Sequence, residues 1–216
     1  MKIKELEILS NNLEDTSAFY SGILDLPLVN RDERSLIFKS GNTLLRFAES
    51  DVAEAMYHFA FNIPCNKIEE AVEFMSSRTD LLKLQNNSVI ADFTSWNAKA
   101  IYFYDNNRNI VELIARQDLN NASENPFGGD SLLCISEIGI SASNPVQLAK
   151  NIHDELGVPY FEKSPGGEEF VAMGDDEGLF IIVKTGRHWY PTDVSAKKLH
   201  TRIKAVSGSE EFELTF

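Results

Sequence analysis

Cysteine is scarce: Cys65 and Cys134 are the only two in 216 residues. A disulfide-stapled secreted scaffold is therefore excluded, and a reducing cytoplasm is the expected setting. Long apolar runs are missing. None approaches the ~18–20 residues of a membrane-spanning helix, so no membrane partner is expected. The opening MKIKELEIL alternates at once and carries no secretory apolar core. Basic residues are few, 20 Lys and Arg against 33 Asp and Glu, for a formal charge of −13. Nucleic-acid binding needs a basic stripe and is disfavoured by that balance. The glycines form no G-x-G-x-x-G and no Walker A loop, so nothing cradles a nucleotide phosphate. The G-x-S-x-G elbow of serine hydrolases and the C-x-x-C of redox proteins are absent too.

What remains is an ordinary globular composition, 43% hydrophobic and 25% charged. The length suits one or two domains. Within it, one grammar recurs three times: alternating strand, capped helix, then strands. In the first unit, residues 3–8 alternate with a period near two, Asn12 caps a helix, and Asp15 favours its first turn. Leu13, Phe19, Ile23 and Leu24 supply its apolar stripe. Strands at 35–39 and 42–48 follow, split by Ser40-Gly41 as a hairpin.

The second unit opens with a strand at 57–63. Asn66-Lys67-Ile68-Glu69 reads as a capping box, with Ile68, Ala71, Val72 and Met75 on one helical face. Extended stretches at 81–84, 89–93 and 100–104, a DNNRN turn at 105–109, and a strand at 110–115 complete it. The third unit has a strand at 134–141 and a capping box at 144–147, with proline at the first helical position. Gly157 ends that helix, and strands at 170–173 and 179–184 flank an acidic turn. The last strands, 201–206 and 212–216, have no helix between them and read as a degenerate fourth unit. Residues 119–130 are rich in Asn, Gly and Pro and form the linker between units at 1–118 and 131–216.

Three local matches carry a family resemblance. The first is Asn12-Leu13-Glu14 followed by Phe19-Tyr20-x-x-Ile23-Leu24-Asp25-Leu26-Pro27. The others are the strand His58-Phe59-Ala60-Phe61, and the closing hairpin Tyr102-Phe103-Tyr104-Asp105 through Asn109-Ile110-Val111-Glu112-Leu113. In order and spacing they resemble the vicinal-oxygen-chelate superfamily. That superfamily contains glyoxalase I, bleomycin-resistance proteins, extradiol dioxygenases and methylmalonyl-CoA epimerase. The resemblance implies an α+β fold of paired βαβββ modules over 1–118, then a third module and a truncated fourth.

It also implies a cleft with metal ligands on the first and last strand of each module. Carried over by position, these fall on Glu5, His58 and Glu112; the remaining position falls on Leu45 or Arg46, neither a ligand. One imidazole and two carboxylates suit a divalent metal such as Fe, Mn, Ni or Zn. The implied activity is a metal-dependent lyase or ring-cleaving dioxygenase acting on a small molecule with adjacent oxygens. Alternatively Glu5 is a catalytic general base, or the chain is a non-catalytic binding protein with vestigial metal positions. Glu137 matches Glu5 in the third unit. No carboxylate follows in 179–184, so no second site is expected there. Assembly as a homodimer stays open, and the stretch Gly186–Thr192 carries no mechanism.

Overall fold

The computed structural model describes residues 1–52 and 54–216. The first unit holds β1 (Lys2–Ser10), α1 (Leu13–Gly22), β2 (Leu28–Arg31), β3 (Ser35–Ser40) and β4 (Thr43–Glu49). The second holds β5 (His58–Ile63), α2 (Ile68–Ser76), β6 (Ala91–Phe93), β7 (Ala98–Tyr104) and β8 (Ile110–Arg116). The third holds β9 (Cys134–Ala142), α3 (Pro145–Leu156), β10 (Phe170–Asp175) and β11 (Gly178–Lys184). A hairpin of β12 (Arg202–Ser207) and β13 (Glu210–Thr215) ends the chain.

The strands form two sheets. One runs β13-β12-β1-β4-β3-β2 and the other β10-β11-β9-β5-β8-β7-β6. The expected partnership of the first unit with the second is therefore corrected. The second unit pairs with the third through antiparallel β5 and β9, with Phe59 opposite Ile138 and Ala60 opposite Glu137. The first unit pairs with the terminal hairpin through β1 and β12. Strand β5 is buried at every residue, and β9 at all but its ends. Strands buried on both faces need a neighbour on each edge to satisfy their backbone groups.

The helix caps follow side-chain chemistry. Asn12 Oδ1 accepts from the Asp15 amide at 3.0 Å, and Asn144 Oδ1 from the Gln147 amide at 3.0 Å. Gln147 does not close the expected box, because its amide donates forward to Asn151 at 2.8 Å. The capping box at 66–69 does not form either. The Asn66 side chain instead exchanges two 3.0 Å hydrogen bonds with the Ser123 backbone, and Lys67 caps without a side-chain bond. The 119–130 stretch thus ties itself to the start of α2. The buried face of α1 is also corrected: Thr16 and Tyr20 are its buried residues, with Leu13, Phe19 and Ile23 only partly covered, while Leu24, just past the helix, is fully buried. The Tyr20 ring lies 4.7 Å from Phe47 and 5.4 Å from Phe38, centroid to centroid. Of the stretches 81–84 and 89–93, only Ala91–Phe93 is a strand, with Leu81 making one bridge to Phe103.

Candidate metal centre

Side chains two apart on a strand share a face, and laterally paired residues stand side by side. On β5 that rule places His58 and Ala60 on the same face. Ala60 pairs with Glu112 on β8 at one edge and with Glu137 on β9 at the other. Ala60 is small, so the two carboxylates flank an open space above it, with His58 beside them. One ligand atom from each of His58, Glu112 and Glu137 lies within 4.8 Å of the others. All three residues are buried.

The second-sphere contacts orient them. The Ile110 carbonyl lies 3.1 Å from His58 Nδ1. A proton donated there leaves the Nε2 lone pair free, 3.6 Å from Glu112 Oε2. Burial pushes the His58 imidazole down to about 4, so the ring is neutral at neutral pH. Burial, and next the Glu137 charge, hold Glu112 well above the usual carboxylate range, opposed by Tyr102 and Arg116. Glu137 is raised by burial and drawn back by the Arg116 guanidinium, its ion-pair partner. Arg116 is fully buried; its Nε donates to Asn62 Oδ1 at 3.2 Å, and Nη1 lies 3.4 Å from Asp176. A cation bound among them would relieve this crowding, because burying carboxylates without a counter-charge is costly.

Above these groups is a cavity of about 260 Å³. Its walls include Phe93, Trp96, Tyr102, Trp189 and Tyr190. The residue of β11 that faces it is Ile181, paired with Gly139 of β9, so the third unit's closing strand offers no ligand. The stretch that sequence left without a mechanism supplies the roof. Backbone bonds Gly186 N to Ala196 O (2.8 Å), Ala196 N to Arg187 O (2.8 Å) and Trp189 N to Val194 O (2.9 Å) fold it on itself. Trp189 turns inward, buried, with its ring 5.3 Å from His58. Only glycine fits beneath it: a Cβ on Gly139 would stand 2.5 Å from Trp189 Cη2.

The predicted set is thus brought together only in part. His58 and Glu112 converge. Glu5 does not: it stands on β1 in the other sheet, 3.1 Å from Lys204 and 3.3 Å from Arg202. Arg46 Nε, at one of the two alternative closing positions, lies 3.5 Å from both Glu5 and Glu7, while Leu45 is in the core. Glu5 is matched by cations and stands outside this cluster. Glu137, which sequence set aside, takes the third place. Its signal was its position on an opening strand. What hid it was the choice of partner unit.

Neither a protein-family model nor a curated protein matches the sequence. Solved structures do match the fold. A Bacillus subtilis protein assigned as a dioxygenase aligns at TM-score 0.61 and 16% identity, over 85% of this chain and 63% of its own. The chain therefore spans less than two thirds of that protein. Glyoxalase I from Zea mays aligns at TM-score 0.57 and 12% identity, over 90% of this chain and 70% of its own. Its V278E mutant aligns at TM-score 0.59 and 14% identity, over 91% and 70%. At these identities the likeness shows the fold alone: an α+β architecture of βαβββ modules.

Proposed function

We propose that this chain, with its vicinal-oxygen-chelate fold, is a divalent-metal-dependent enzyme acting on a small molecule with two adjacent oxygens. The observation that carries this is the gathering of His58, Glu112 and Glu137 within 4.8 Å at an aromatic-walled cavity. His58 Nε2, the Glu112 carboxylate and the Glu137 oxygen not paired with Arg116 would hold the metal. This mixed nitrogen and oxygen set suits Fe, Mn, Ni or Zn. The metal would supply Lewis acidity where negative charge develops on a substrate oxygen. The protein does the rest. Arg116 fixes Glu137 and offsets one carboxylate charge. Tyr102, beside Glu112 on the neighbouring strand, holds a proton at its hydroxyl, because burial and the two carboxylates push its ionisation well above the ordinary range. Trp189 and Tyr190 limit water access. A lyase or ring-cleaving dioxygenase reaction is the type we favour, in a cytoplasmic setting that suits two free cysteines.

A non-catalytic binding protein is the second reading. Two observations favour it: Arg116 already engages Glu137, and Ile181 stands where a further ligand would. The test is metal content by plasma mass spectrometry after loading with Fe, Mn, Ni and Zn in turn. About one metal per chain is expected, lost in His58→Ala and in Glu112→Ala. A wild-type protein that retains no metal overturns the metalloenzyme reading.

A further inference from the structure

The acidic floor says where a ligand would meet a bound metal but not how it would be oriented. Arg187 stands where the cavity opens. It lines both the inner cavity and an outer groove of about 550 Å³ that Gln85, Asn86 and Asp193 also line. Glu112 and Glu137 line only the inner cavity. The Arg187 backbone is pinned on both sides, its N–H to the Lys184 carbonyl at 2.9 Å and its carbonyl to the Ala196 N–H at 2.8 Å. Its guanidinium stacks 5.1 Å from the centre of the Phe170 ring, itself a cavity wall. Among the described residues no carboxylate lies within ion-pair distance of it, although acids outnumber bases by 33 to 20. The nearby Asp193 faces His188, at 3.8 Å. An exposed arginine with a pinned backbone, its guanidinium over a ring and no acidic partner, presents its fork of donors to an incoming anion at the cavity mouth.

We propose that Arg187 is a specificity-determining residue that binds the anionic end of a carboxylate carrying a single aromatic ring. The inference rests on the proposed function for the inner end of the ligand, and adds the class and polarity of its outer end. The cavity, about 260 Å³, lies just below the usual ~300–1,000 Å³ of small-molecule pockets and so suits one ring with short substituents. Its walls are rings: Tyr190 lies 5.9 Å from Phe93 and 5.7 Å from Tyr102, both edge-on, and a flat ligand stacks among such faces. The cation at the floor, Arg116, is already paired with Glu137, whereas Arg187 at the mouth has no carboxylate partner among the described residues. The charged end therefore points outward, and the uncharged end points inward.

The two tryptophans of the chain, Trp96 and Trp189, both line this cavity, so intrinsic fluorescence reports its occupancy. The experiment titrates zinc-loaded protein with phenylacetate and with its neutral isostere phenylacetamide. Wild type is expected to bind phenylacetate roughly tenfold or more tightly than the amide, the scale of a charge-assisted hydrogen bond. Arg187→Gln is expected to erase that preference, weakening phenylacetate while leaving the amide and the zinc content unchanged. Arg187→Lys restores part of it. Equal affinity for the two probes, an Arg187→Gln variant that keeps the preference, or no quenching by either probe overturns the proposal. If wild type takes up no zinc, the metal reading fails separately. The same titration on metal-free protein then decides the role of Arg187 by the same outcomes.

Discussion

Removing the Arg116 guanidinium is the sharpest test of the electrostatics under the cavity. Arg116 is fully buried and Glu137 is 3% exposed, so neither charge has solvent to fall back on. In Arg116→Met, Glu137 keeps its charge or takes a proton beside a second buried carboxylate, Glu112. Breaking one side of a buried pair costs about 3–5 kcal/mol. Asn62 Oδ1 loses its donor as well, and Asp176 is left with Lys163. Against a total stability of about 5–15 kcal/mol, that is a large fraction. The reverse truncation, Glu137→Leu, should cost less, because Arg116 retains Asn62 and Asp176, the latter partly reached by solvent. The double variant Arg116→Met/Glu137→Leu replaces both charges with apolar volume and should recover most of the loss, as buried ion pairs exchanged for hydrophobes commonly do. Urea unfolding of the four proteins closes the cycle, provided the slope with denaturant is constant. Added zinc should stabilise Arg116→Met more than wild type, since the cation then supplies the missing charge. A loss below about 1 kcal/mol in Arg116→Met, or additive single effects, refutes the reasoning.

Two further outcomes follow from local geometry. Gly139→Ala places a methyl group 2.5 Å from Trp189 Cη2. We expect a loss of about 1–3 kcal/mol from overpacking and a red shift of tryptophan emission as the ring is driven from its pocket. An unshifted spectrum at unchanged stability would mean that the strap does not rest on Gly139. Asp105 gives a pH signature remote from the cavity. Its carboxylate accepts from the Tyr20 hydroxyl at 2.7 Å and from Asn107 and Asn109, yet burial lifts it to about 6 from an ordinary 3.8. Between about pH 4 and 6 the folded state therefore holds more protons than the unfolded state. The stability from this group is full below about pH 4 and is lost as pH rises through about 6, by up to about 3 kcal/mol. The stability of wild type minus that of Asp105→Asn, measured in urea from pH 4 to 7, should fall over that window. A flat difference contradicts the assignment.

Much of the chain was legible before folding. Asn12 and Asn144 announce their helices because a short side-chain acceptor reaches the orphan amides of the first turn. Gly157 takes φ 64° at the end of α3, a conformation that glycine adopts without penalty. Asn66 looked the same but failed, since the Ser123 backbone, 57 residues away, competes for its side chain. Strand β2 escaped notice because all four of its residues are exposed on a sheet edge and carry no alternation. His58 and Glu112 could be read because both lie in one unit, on neighbouring parallel strands whose offset is a local property.

Glu137 could not be read in that way. It joins His58 and Glu112 because β9 adds to the free edge of β5, and nothing local says which unit will occupy that edge. The same topology carries Glu5 into the other sheet, among Arg46, Arg202 and Lys204. The sequence by itself determined the elements: the period-two strands, the capped helices and the repeated order in which they come. Those depend on residues a few positions apart. Only the tertiary structure decided which unit pairs with which. It therefore decided which carboxylate faces His58, and it turned Gly186–Thr192 into a roof carrying Trp189 and Arg187. Edge pairing and roof packing are contacts between residues far apart in the chain, and their free energy is set by the surfaces that meet.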